Sequence, residues 1–156
     1  MQMLCGFLLV RPLGGRYRGA EGTGGPNGGH VARFALGVFF IVHGLIHILW
    51  IIPSPDDEKW PFSITQSSVL KRAPEGLLKA VGWVGALVAI VTFTLAGLGV
   101  LGVPGLDAAW QLFAVAGALT SLLLLAFFWH RTFVVGLAID VGVLLAIYAG
   151  WLEWVG

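Results

Sequence analysis

Charge is scarce in this sequence. Only 11% of its 156 residues are Asp, Glu, Lys or Arg, against about a quarter in an ordinary soluble domain, so a water-facing shell around a globular core cannot be assembled from this inventory. The nine basic residues are scattered and nearly balanced by eight acids, for a net charge of +1. They form no dense basic patch with interleaved aromatics, which argues against nucleic acid as a partner. The one cysteine, Cys5, excludes an internal disulfide and any cysteine-based zinc spacing.

What the sequence does contain is apolar bulk, 58% of it, gathered into long runs. A membrane span needs about 20 mostly apolar residues, because backbone amides cannot stay unpaired in hydrocarbon. Four segments pass that test. Phe34 to Ile52 carries no charge and ends at Pro53-Ser54-Pro55, and Ala80 to Val103, equally uncharged, stops before Pro104-Gly105. Ala108 to Trp129 follows Asp107, read as its N-cap, and Thr132 to Leu152 is apolar apart from Asp140. The fold expected is all-α, an integral membrane antiparallel four-helix bundle over residues 31–156 of the cell membrane, in contact with the lipid bilayer. Antiparallel order follows because the second and third connections are a few residues long.

Tryptophan placement agrees, since indole favours the headgroup region. Trp50, Trp83 and Trp129 fall at the ends bearing the first and third loops, Trp110, Trp151 and Trp154 at the opposite ends, and Trp60 in the long loop. Small residues that let helices approach closely recur as Gly142, Ala146 and Gly150, as Gly82 with Ala86, and as Ala114 with Ala118. Such seams suit other membrane helices or a second copy as partners.

Residues 1–30 are glycine-rich and expected to be disordered. Arg11, Arg16 and Arg18 follow the short apolar run Leu4 to Val10 instead of preceding it, so neither a cleaved signal peptide nor a lipoprotein anchor at Cys5 is expected. A mis-assigned gene start is one explanation, with Val31 as the alternative start. Basic residues mark the cytoplasmic side. Arg11, Arg16, Arg18 and Arg33 on one face oppose Lys59, Lys71, Arg72, Lys79 and Arg131 on the other, and without the leader only Arg33 opposes those five. Both termini are then expected outside.

Ionisable groups within spans are costly, so they are where function is sought. His43 and His47 lie four residues apart on one face of the first helix, and Asp140 lies inside the fourth. At about 1.5 Å per residue, His43 sits roughly 13 Å and His47 roughly 7 Å below the end bearing the first loop, with Asp140 roughly 12 Å below the end bearing the third. Those loops share a face, so His43 and Asp140 share a depth. Ser121 and Thr120 fall near that level, with His130 at the mouth. The functional reading is a polar pocket opening towards the first loop. His43, His47 and Asp140 would hold a divalent metal there, or exchange protons with a quinone. Two histidines one turn apart cannot sandwich a haem iron. The plainer reading is that a histidine and an aspartate at equal depth form an interhelical hydrogen bond.

The long connection, residues 53–79, opens with Asp56-Asp57-Glu58, which lack the alternation of a calcium loop. Apolar bulk returns at Trp60-Pro61-Phe62, as a lid over the pocket or as a shield over a small apolar surface, and Ala73-Pro74-Glu75 reads as the next helix start. The run Gly37-Val38-Phe39-Phe40-Ile41-Val42-His43-Gly44-Leu45-Ile46-His47, in a chain of this span number, resembles small bacterial four-helix membrane proteins of the DoxX-like group. That resemblance implies a redox-linked or accessory-subunit role and carries over no catalytic residue. A non-enzymatic membrane protein is the role expected, with a quinone- or metal-linked redox component as the alternative.

Overall fold

The computed structural model of this protein describes residues 28–53, 61–65, 67, 69–152 and 155. The leader up to residue 27 with Cys5, the acidic run Asp56 to Glu58, Trp60 and Trp154 lie outside the described residues. Every described element is helical: α1 Gly28–Ile46, a 3-10 turn His47–Trp50, α2 Glu75–Val100, α3 Trp110–Phe127, a 3-10 turn Arg131–Phe133 and α4 Val134–Tyr148. Four helices are long and apolar enough to cross a membrane, the 3-10 turns included with α1 and α4.

Helix boundaries follow local chemistry. The helix α1 starts at Gly28, inside the stretch read as leader, and its last turn tightens at His47. There the His47 ring takes the carbonyls of His43 and Gly44 as acceptors, competing with the regular backbone ladder. Pro74 is the N-cap of α2, and its carbonyl accepts from Leu77 N–H at 3.0 Å. Glu75 follows in the first turn, where an acid complements the helix dipole, and pairs with Lys79 one turn on at 2.6 Å.

Both α2 and α4 end in the same device. Past α2, Gly102 adopts φ +89° while Val103 N–H reaches the Leu98 carbonyl; past α4, Gly150 adopts φ +70° while Trp151 N–H reaches Ala146. This is the Schellman arrangement, which needs a left-handed residue and so favours glycine. Gly150 therefore ends a helix, a role its place in the expected seam did not signal. Nor is Asp107 the N-cap of α3: successive turns through Leu106 delay the helix, Ala109 takes the cap position, and no side chain caps it.

The helices pack neighbour to neighbour, α1 on α2, α2 on α3 and α3 on α4. Between α1 and α2 the contact is backbone on backbone. A methyl group on Gly97 would lie 2.6 Å from the Gly37 carbonyl oxygen, and one on Gly44 would lie 2.8 Å from Phe93 Cβ. As numbering rises along α1 it falls along α2, so the two run antiparallel. Among the expected seams, Ala86, Ala114 and Ala118 are fully buried and Gly82 receives the loop residue Ile64. Gly142 faces outward, with nothing within 4 Å of an added Cβ.

Two apolar clusters form the interior. One gathers Phe40, Phe93, Val100, Trp110, Ala118 and Val143. The other gathers Trp50, Ile64, Leu78, Leu124, Phe128 and Phe133. Trp50 and Trp110 are thus core residues, although both were expected at a headgroup belt; each sits at a helix end but turns its ring inward, whereas Trp83, Trp129 and Trp151 are exposed.

These contacts set an expected outcome for two glycines. Gly97→Ala is expected to lose about 1–3 kcal/mol, because neither the Gly37 carbonyl nor the α1 backbone can yield locally. Gly142→Ala is expected to stay within about 0.5 kcal/mol of the parent. Unfolding of both variants in detergent checks the contrast, and equal losses would refute the assigned seam.

Candidate functional site

Between the two apolar clusters lies a polar layer. Along α1 and its 3-10 extension it falls between Phe40 and Trp50, on α3 between Ala118 and Leu124, and along the turn before α4 and α4 itself between Phe133 and Val143. Its members are His43, His47, Ser121 and Asp140, with relative exposures of 6%, 6%, 2% and 0%.

His43 Nε2 and Asp140 Oδ1 are 3.0 Å apart, joining α1 to α4. The two histidines stand on one face of α1 and the 3-10 turn that continues it, as their spacing requires, but serve different partners. His47 Nδ1 donates to the carbonyl oxygens of His43 at 3.1 Å and Gly44 at 3.3 Å. Because those acceptors fix the hydrogen on Nδ1, the Nε2 lone pair of the neutral ring accepts from the Ser121 hydroxyl, 2.9 Å away on α3. Histidines thus tie α1 to both α3 and α4.

Aromatic rings enclose the layer. Phe93 of α2 meets the His43 ring edge-on at 4.8 Å and lies nearly parallel to His47 at 6.0 Å, while Phe39 stacks on His43 at 5.8 Å. Phe93 fits only because Gly44 and Gly117 carry no side chain; a methyl on Gly117 would lie 3.0 Å from its ring. Towards the first loop, Trp50, Phe62 and Phe133 close on one another at centroid distances of 5.1–5.5 Å, with Phe128 also 5.5 Å from Trp50. The long loop therefore shields: Phe62 belongs to this plug, and Ile64 is buried against Gly82.

Two expected members are elsewhere. Thr120 bonds back to the Ala116 carbonyl at 2.8 Å and lines an apolar groove between α2 and α3 with Val84, Val88 and Leu123. It neighbours Ser121 in sequence, but successive residues on a helix point about 100° apart, so only one can face the layer. His130 is exposed, bonds Thr132 Oγ1 at 2.9 Å and begins the 3-10 turn before α4. Neither joins the cluster. Sequence reasoning missed Phe39 and Phe93. Phe39 was signalled by its position four residues before His43; nothing local to α2 marks Phe93.

The expected metal set of His43, His47 and Asp140 is not assembled, since among the described residues no three His, Cys, Asp or Glu side chains converge on a metal position. His47 turns its nitrogens to its own helix and to Ser121. Four clefts on the described surface are lined by other residues and do not open onto His43, His47 or Asp140. What remains open for chemistry is small. Asp140 Oδ2 is buried without a hydrogen-bond partner, and the His43–Asp140 bond leaves His43 Nδ1 unpaired among the described residues.

Comparisons of this chain with protein-family models, curated proteins and solved structures find no match. The site is therefore read from its own geometry.

Removing one partner of a buried charged pair strands the other and costs about 3–5 kcal/mol, whereas an ordinary hydrogen bond between membrane helices contributes about 0.6 kcal/mol. The full burial of Asp140 puts the loss of either partner well above the second figure, because the group left behind has no water to turn to. His43→Ala and Asp140→Ala are each expected to lose about 3 kcal/mol or more, and the double variant much less than their sum. Thr120→Val and His130→Ala are expected to stay within about 0.5 kcal/mol. A double-mutant cycle in detergent that returned a negligible coupling would reduce the pair to a chance contact.

Proposed function

We propose that this chain is a multi-pass protein of the cell membrane, an antiparallel four-helix bundle without chemistry of its own that serves as an accessory subunit beside other membrane helices. Its length of apolar helix supports the first half of that reading, as does the ring of exposed large side chains, from Val31 and Phe34 through Leu87 and Val91 to Leu112, Leu123 and Leu145. Water would not tolerate so much uncovered apolar surface on a lone soluble domain. Lipid would.

The observation that carries the second half is Asp140, wholly buried and bonded to His43 in a layer between two apolar clusters. A substrate-processing site needs access; an interhelical lock needs closure. On this reading His43, Asp140, His47 and Ser121 hold the helices in register, and the outward face of α4 around Gly142 is free to meet other helices or a second copy. The resemblance to DoxX-like proteins fits an accessory role. Both termini face outward, with Lys71, Arg72, Lys79 and Arg131 on the cytoplasmic side.

A second reading, a quinone-linked redox component, is favoured by the unpartnered Asp140 Oδ2 and the unpaired His43 Nδ1. It needs a ligand to part α1 from α4, since the plug of Trp50, Phe62, Phe128 and Phe133 closes the other approach.

The protein is expected to stay in the membrane fraction after alkaline carbonate washing, and a reporter fused at Gly156 is expected to read as external. Release by carbonate would overturn the membrane reading, and a cytoplasmic reporter the orientation. Purified protein is expected to be free of bound quinone by absorption and extraction; stoichiometric quinone would make the second reading the first.

A further inference from the structure

Asp140 is fully buried, yet only half of its carboxyl group is bonded. The titratable and polar groups that face the pair are few. From α1 there is His47, whose Nδ1–H is committed to backbone carbonyls. Among the described contacts, α2 presents the Phe93 ring to His43 and α3 the Ser121 hydroxyl, which bonds His47. No lysine or arginine is among them. The described cationic side chains Arg33, Lys71, Arg72, Lys79 and Arg131 belong to the chain segments at the helix ends.

Charge accounting then decides what the layer holds. A carboxylate beside a neutral imidazole would leave one uncompensated negative charge between two apolar clusters, a state that burial penalises heavily. One additional proton removes it. The proton adds either to the His43 Nδ1 lone pair, giving an imidazolium that faces the carboxylate across the 3.0 Å bond, or to the carboxyl group, giving a neutral acid beside a neutral ring. No other bond forms or breaks, and the layer passes from a charge of minus one to zero.

We propose that the His43–Asp140 pair is a proton-binding site, holding one dissociable proton beyond what an imidazole and a carboxylate carry, with His43 Nδ1 and Asp140 Oδ2 as its two open positions. The ligand proposed is a proton: among the described residues no third metal-ligating side chain converges there, and apolar clusters flank the pair on both sides. Phe39, stacked on the His43 ring, is itself exposed. The inference rests on burial within the described structure, not on the accessory-subunit role, and membrane placement is tested separately by carbonate washing.

The experiment is NMR on the full chain in lipid nanodiscs, with 15N-histidine and 13C-aspartate labels, near neutral pH. Supporting results are an imidazolium at His43 with a carboxylate at Asp140, or a neutral imidazole with a protonated carboxyl. A neutral His43 beside an ionised Asp140 overturns the proposal on the wild-type protein alone, so no variant need fold for it to fail. Asp140→Asn keeps the shape and removes the charge; His43 is then expected to read as neutral, and an imidazolium persisting there would show that Asp140 is not what holds the proton.

Discussion

The hydrogen bond between His43 and Asp140 is the constraint around which the rest of the structure is arranged. A carboxyl group with no exposure must be met by a partner or destabilise the fold. The partner comes from the far end of the chain, 97 residues away. The helices otherwise pack in chain order, each against the next, so this bond ties the first to the last. It also fixes register: sliding α4 by one turn along α1 would move Asp140 about 5.4 Å and strand both groups. His47 and Ser121 extend the same restraint to α3.

Room for that polar layer is made by residues with no side chain. Phe93 can lie against both imidazoles only where Gly44 and Gly117 leave space for it, and α1 can approach α2 only across Gly37 and Gly97. The close approach brings Phe40 against Phe93 and completes the apolar cluster below the layer. Above it, Trp50, Phe62, Phe128 and Phe133 arrive from the end of α1, the long loop, the end of α3 and the turn before α4. Local glycine geometry, interior packing and the closure of the polar layer are thus steps in one sequence of causes.

Much of this was legible from residue order. The helical segments follow from run length and hydropathy, and the shared height of His43 and Asp140 follows from equal rise per residue, which converts sequence position into depth. Azimuth was not legible. Depth placed Thr120 beside Ser121, but only rotation about α3 decides which faces inward, and that depends on how α3 seats against Phe93. The same limit explains Trp50 and Trp110, whose end positions were correct and whose inward turn was not readable. Gly150 and Asp107 misled for another reason: glycine serves seams and Schellman caps equally well, and an aspartate before a helix caps it only if the turn delivers it to the right residue.

The layer's walls are unequal, and that bears on both readings of the protein. Towards the first loop four aromatic side chains from separate elements interlock, so opening there requires several parts to move together. Between α1 and α4 the polar tie is the single His43–Asp140 bond, and Phe39, stacked on His43, is exposed. The α4 span is also the least buried of the four. A partner helix seated against α4 would reinforce this weak side and hold the pair closed, whereas a ligand seeking the carboxyl would have to enter by it. Occupancy of the α4 flank is therefore the variable on which lock and chemistry differ, since one surface cannot serve as both a sealed helix contact and an open entry.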